Sequence, residues 1–310
     1  MLDYTLLETL AAVDREGSVE GAARSLHVTP SAVSQRLKLL EERVGTVLVV
    51  RGRPCVATPA GQQLCRHVER VALLEREIDR ELPALGTRSG RARPAAVLRV
   101  AVNADSLSTW FVQAVERFAR EGEAVVDVSL DDEGHTADWL RTGRVLAAVT
   151  ADAEPIQGCR SVVLGRMRYL ATASPAFVAR HFSDGVTEAA LAEAPTLVFD
   201  PRDRLQRAWM RRVCRRAPEP PTHRLPSTQA FLDASLAGLA WCMNPELLAR
   251  PHLEAGRLVE LVPGVPIDVP LHWQHPRLAP PILERLTAAV TAAARASLRQ
   301  RRPRASRAPW

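Results

Sequence analysis

Apolar residues recur along this chain in two rhythms, and the rhythm changes near residue 95. Before that point they step by three or four. Tyr4, Leu6, Leu7, Leu10, Ala11 and Val13 mark a helix from about Asp3 to Arg15, closed by Gly17. Ser18 caps a second helix whose inner face is small, with Ala22, Ala23 and Leu26. Thr29-Pro30 starts a third: a capping hydroxyl, then proline at the first helical position. Val33, Leu37, Leu40 and Val44 keep helical spacing until Gly45. Small residues on the second helix let the third cross it closely, which predicts a helix-turn-helix. Val47–Val50 and Cys55–Ala57 then flank Arg51-Gly52-Arg53-Pro54 as a short hairpin. Thr58-Pro59 opens a long helix to about Leu85, striped by Leu64, Val68, Val71, Leu74, Ile78 and Leu82 between charged residues. So narrow a stripe on so long a helix fits a seam between two copies of the chain; packing within one chain is the alternative. Residues 86–94 read as a linker.

From Val97 onward, short apolar runs alternate with helical patterns. Strands are predicted at 97–102, 124–130, 145–149, 169–173, 196–199, 239–243 and 271–274, and a closing helix at 281–298. Alternation of this kind predicts parallel α/β sheet in two halves, a clamp with its cleft at the carboxyl ends of the strands.

Charge changes this picture locally more than globally. The formal net charge is +6, but Arg295, Arg299, Arg301, Arg302, Arg304 and Arg307 supply as many positive charges with no acid among them. The local excess matters more. Arg24, Arg36, Lys38, Arg43, Arg51 and Arg53 face only Glu41 and Glu42 over residues 24–53. On the third helix, Thr29, Pro30, Ser31, Ser34, Gln35, Arg36 and Lys38 lie at the front or opposite the apolar side. Hydroxyls, an amide and cations so placed suit phosphates and base edges in a major groove. Arg51 and Arg53 at the hairpin tip suit a wing along the backbone. An αα-hairpin with a solvated face and a plain surface hairpin are the ordinary alternatives.

Other chemistry is sparse. There is no phosphate-binding glycine loop, no nucleophile elbow and no zinc helix, which argues against an enzyme. The five cysteines are scattered singly, so buried free thiols are expected and metal knuckles are not; a distant pair forming a thiol switch is the alternative. No apolar run approaches membrane-spanning length and no secretory signal opens the chain, which predicts a cytoplasmic protein.

In this order the parts resemble the LysR-type transcriptional regulators from Asp3 to about Gln300. The longest match runs from Gly17 to Gln35, and 49–55, 103–110, 173–177 and 241–243 resemble the ArgP/LysG subgroup. Asn244 departs from that subgroup, which has an apolar residue before the proline. The resemblance implies an N-terminal winged helix-turn-helix (1–58), a linker and dimerisation helix with hinge (59–94) and a periplasmic-binding-protein-like effector domain (95–300). That domain would divide into 95–165 plus 268–300 and 166–267, and a basic tail (301–310) would follow. It implies double-stranded DNA, a second copy of the chain as dimer or tetramer, and RNA polymerase as partners. It implies no cofactor, but lysine or arginine as small-molecule effector.

A basic amino acid needs carboxylates for its cations and donors for its own carboxylate. Strand-end loops offer Asp105, Ser106, Asp131, Asp132, Glu133 and Asp200, with Trp110 or Trp273 to cover the aliphatic stem. Loop acids that merely cap helices are the alternative. A blocker of replication initiation and a thiol-redox regulator are rival readings on the same frame.

Overall fold

The computed structural model describes residues 3–81, 96–120, 122, 124–130 and 136–300. Three helices open it: α1 (Tyr4–Glu16), α2 (Val19–Leu26) and α3 (Pro30–Val44). Local chemistry sets their ends. Asp3, Ser18 and Thr29 each accept an amide at a helix start, and Gly17 and Gly45 end α1 and α3 at φ 64° and 77°. His27 ends α2 at φ 55°, a left-handed position that side chains seldom take, and makes the turn into α3. Leu7, Leu10, Val13, Ala22, Val33, Leu37 and Leu40 bury together as one core. The hairpin follows as β1 (Val49–Val50) and β2 (Val56–Ala57), antiparallel. Glu41 of α3 accepts the amides of Leu48 and Val49 at 2.8 and 3.3 Å, which ties the hairpin to the helix.

The long helix α4 (Pro59–Glu81) does not present one continuous seam. Leu64 and Val68 pack against the N-terminal core, and Leu73 is buried in the core of the following domain. Leu74 and Ile78 each remain 51% exposed. The seam expected from Leu64 to Leu82 is therefore corrected at its start, where the helix lies on its own chain. Leu82 lies outside the described residues.

After α4 come β3 (Ala96–Val102), α5 (Ala104–Ser106), a π-helical turn (Leu107–Phe111), α6 (Val112–Ala119), β4 (Ala124–Leu130), α7 (Thr136–Thr142) and β5 (Ala147–Thr150). The chain crosses on β6 (Cys159–Ala173) to α8 (Pro175–His181), α9 (Glu188–Glu193), β7 (Thr196–Val198), α10 (Leu205–Val213), β8 (Thr222–Arg224), α11 (Thr228–Leu236), β9 (Cys242–Pro245), α12 (Glu246–Glu254) and β10 (Val259–Glu260). It returns on β11 (Ile267–Pro276) to α13 (Pro281–Ser297). Among the described residues seven strands join in one sheet, ordered β10-β6-β11-β5-β3-β4, with β9 also on β6.

Only part of this sheet is parallel, as β3 pairs β4 and β5. The expectation of parallel sheet throughout fails in the second half, because β6 pairs antiparallel with β11 over Cys159–Tyr169 and with β9 and β10 beyond. Between them β6 and β11 span both halves, and Arg168 and Asp268 clamp the pair at 2.8 and 3.0 Å. The register shifts between Leu271 and His272, opposite Gly165 at φ 137°, where a side chain would meet Leu298 and Arg299. All five cysteines are free and four are buried; burial pushes the thiols of Cys65 and Cys242 up to about 12.

Candidate functional site

Two sites are built on this frame. The first is the outer face of α3. Val33 and Leu37 anchor its inner side, so Ser31, Gln35 and Lys38 stand exposed, and Ser34 and Arg36 half-exposed. Thr29 and Pro30 form the exposed front; Thr29 Oγ1 caps Ala32 and lies 3.0 Å from Ser31 Oγ. Lys38 sits 3.8 Å from Glu42 one turn on, a solvent-exposed pair of small strength. Arg51 and Arg53 are exposed at the hairpin tip. The side chains of Gln35, Arg36, Arg51 and Arg53 make no hydrogen bond or ion pair with other described residues. A polar face left unused by the fold is what a groove-reading surface requires.

The second site is a cleft of about 290 Å³ between the two halves of the sheet. Asp105, just past the end of β3, lines it, as does Asp200, two residues after β7. Asp105 reaches across the cleft. Its carboxylate accepts the Tyr169 hydroxyl from β6 at 2.5 Å and the Thr228 hydroxyl from α11 at 2.6 Å. Burial pushes its pKa above the ordinary carboxylate range; the two hydroxyls oppose this, and the charge of Asp203 adds to it. Asp200 differs. Burial alone would raise it, but the amides of Arg202 and Asp203 and the Arg202 guanidinium hold it below its usual range. Asp203 accepts the Phe199 and Leu205 amides and the Gln206 side chain. Two of these three acids are thus spent on their own loop, and among the described residues Asp105 takes hydrogen bonds only from neutral hydroxyls.

Phe199, Phe231 and Met243 supply apolar wall, and Arg202 and Arg204 add guanidiniums to the lining, that of Arg202 lying 3.3 Å from Asp200. The tryptophans do not take part. Trp273 is fully buried, donates to Thr287 at 3.0 Å and packs near Phe111, so its expected place over an effector is corrected; Trp110 is fully buried as well. Ser106 also falls away from the cleft. Its side chain is buried and its amide is taken by Asn103 at 2.9 Å. Asp131, Asp132 and Glu133 lie outside the described residues. Leu130, next to them, lines a smaller hollow of about 180 Å³ beside the cleft. Tyr169, Thr228 and Asp203 went unread in the sequence. Asp203 obeys the strand-end rule that picks out Asp200, whereas Tyr169 looks like strand core and Thr228 like an ordinary helix start.

With this geometry in hand, comparison with known proteins is decisive. Residues 4–62 match the bacterial regulatory helix-turn-helix protein, lysR family, and residues 91–295 the LysR substrate binding domain. The chain belongs to the LysR family. This LysR-family chain is 46% identical over 306 residues to the transcriptional regulator LysG of Mycobacterium tuberculosis, covering 97% of this chain and 98% of the relative. It is 44% identical over 287 residues to ArgP of Pseudomonas fluorescens, covering 93% and 95%. Among solved structures it resembles ArgP of Mycobacterium tuberculosis, at TM-score 0.79 and 46% identity over 97% of this chain and 100% of that one. Full-length LysG of Corynebacterium glutamicum with bound effector Arg matches at TM-score 0.71 and 41% identity, over 96% and 100%. The LysR architecture is the predicted one: a helix-turn-helix followed by a two-lobed, periplasmic-binding-protein-like domain.

Proposed function

We propose that this chain is a cytoplasmic, LysR-type transcriptional regulator, not an enzyme, that responds to lysine or arginine and controls a basic amino-acid exporter or metabolic gene. The observation that carries the effector is Asp105, a cleft acid whose only hydrogen-bond partners among the described residues are hydroxyls. A ligand's ammonium or guanidinium supplies the missing counter-charge, Arg202 and Arg204 take its carboxylate, and Phe199, Phe231 and Met243 cover its stem. The LysG structure with bound Arg supports the same class. The DNA reader is assigned to Thr29, Pro30, Ser31, Ser34, Gln35, Arg36 and Lys38, with Arg51 and Arg53 on the phosphate backbone. Leu74 and Ile78 are the contacts assigned to a second copy, in a dimer or tetramer that meets RNA polymerase at the promoter.

The domain divisions at 58/59, 94/95 and 300/301, and the split of the sensor at 165/166 and 267/268, belong to the same reading. The kink at Gly165 opposite Leu271/His272 supports the split. A thiol-redox input is disfavoured, because buried thiols held near 12 are poor nucleophiles.

Calorimetric titration of the full chain with lysine, arginine and leucine tests the effector. Binding of a basic but not the neutral amino acid is expected; equal binding of all three, or none, overturns it. Footprinting on the upstream region with and without the ligand reads the DNA side. There a Gln35→Ala change is expected to relax base preference by roughly 1–3 kcal/mol at one position.

A further inference from the structure

Asp105 does two things at once. It stands in the wall of the cleft, and it ties the half of the sheet carrying β3 to the half carrying β6 and α11. Both ties are donated by neutral hydroxyls. Among the described residues, the charged groups that line the cleft with it come from one loop: Asp200, Arg202, Asp203 and Arg204. Of these, Asp203 acts on it and carries the same sign. From β6 and α11 come Tyr169 and Thr228, while β9 and β11 present Met243, Pro245 and Val269. No histidine lines the cleft among the described residues. Arg202 and Arg204 line the same cleft, but among the described residues neither is a charge that bears on Asp105.

We infer that Asp105 exchanges a proton for the cation of the effector: the empty cleft holds a neutral carboxyl tied to Tyr169 and Thr228, and an entering ammonium or guanidinium pairs with the carboxylate while the proton leaves to solvent. This rests on the basic-effector reading of the cleft and goes beyond it. The balance is simple. One O–H bond breaks, one ion pair forms, and one proton per site is released. The raised carboxyl of Asp105 agrees with the direction of exchange. Lysine and arginine stay cationic at both nitrogen groups from about pH 5 to about pH 7, so they contribute no proton themselves. Effector affinity then rises with pH, by up to about tenfold per unit where release is complete, and levels off once the empty site has ionised.

The test is calorimetry on the full-length protein with L-arginine and L-lysine, at matched pH in two buffers of different ionisation enthalpy, repeated across pH 5–7.5. Heats that differ between buffers give the number of protons released, expected to approach one on the acid side. Asp105→Asn is expected to abolish the release. Tyr169→Phe and Thr228→Val each remove a hydroxyl that favours the ionised form, so each is expected to move the release window to higher pH. These two variants keep the test open should Asp105→Asn not bind. Buffer-independent heats with tight binding overturn the exchange and leave the basic-effector reading standing. Release that persists in Asp105→Asn, or a window unmoved by both hydroxyl variants, places the proton elsewhere and overturns it too. Failure of both amino acids to bind the unmodified chain overturns both readings.

Discussion

At the scale of single residues, the molecule separates groups that the fold uses from groups that it leaves available. Asp200 and Asp203 are consumed by backbone amides, whereas Asp105 is held by side-chain hydroxyls across a gap. This has a consequence for stability that needs no ligand. The carboxyl of Asp105 is raised in the folded chain, so the fold holds more protons than the unfolded chain above the ordinary carboxylate range. Its stabilising share is full at low pH and is lost as pH rises through the folded value. Asp105→Asn removes that loss. The ligand-free variant is expected to melt above the parent at pH 8, with the gap closing toward pH 4.5, by thermal unfolding at both. A gap independent of pH sinks this assignment. Sequence reasoning found Asp105 because strand ends are readable. It misplaced Trp273, because an aromatic within a strand looks the same whether it faces a cleft or, as here, Thr287 and Phe111.

At the scale of elements, α4 explains how a correct periodicity yields a partly wrong partner. Spacing shows which side of a helix is apolar, but not what covers each turn. The first turns are covered by the N-terminal core. This is aided by Gly61, where a side chain would run into the Leu48 carbonyl at 2.1 Å. Further along, Leu73 enters the sensor core while Glu69 pairs with Arg99 at 2.6 Å and Glu77 with Arg285 at 3.0 Å. Leu74 and Ile78 point elsewhere. Leu73→Ala is therefore expected to cost about 2–5 kcal/mol of unfolding free energy with little effect on subunit association. Leu74→Ser with Ile78→Ser is expected to do the reverse, weakening association by roughly 1–2 kcal/mol per side chain. Denaturant unfolding and sedimentation velocity separate the two. Equal effects of both changes on association defeat the division. The helix-turn-helix was more legible, since caps such as Ser18 and Thr29 act within four residues. The 159–168 half of β6 was not, because Arg160, Arg166 and Arg168 break up its apolar pattern and its partner lies about a hundred residues away.

At the scale of the whole molecule, β6 and β11 hold the two lobes to one another, and two histidines sit in that join. His275 is fully buried, and its Nε2 accepts the Arg160 guanidinium at 2.9 Å; His272 is nearly as buried. Burial depresses both imidazoles, and Arg160 depresses His275 further. Their contribution is full above the ordinary imidazole range near about 6.5 and is lost as pH falls through it toward the folded values. Melting temperature is expected to drop from pH 7 to pH 5, and less steeply in His275→Gln, which keeps an acceptor for Arg160 and cannot take the proton. An unchanged slope counts against this role. Asp105 and these histidines act in opposite senses: the share of Asp105 is full on the acid side and that of the histidines on the neutral side.

Glu41 binds the hairpin to α3 from behind, while Ser31, Gln35 and Arg36 hold nothing together except the hydroxyl contact between Ser31 and Thr29. On the proposed reading, the DNA address is therefore written in side chains that the scaffold does not read. Operator preference is free to drift, or to be rewritten by exchange at those positions, without retuning the cleft. Changes at Asp105, Tyr169 or Thr228 touch the cleft and the join between lobes together. Over generations such a regulator can change the genes it serves more readily than the metabolite it answers to.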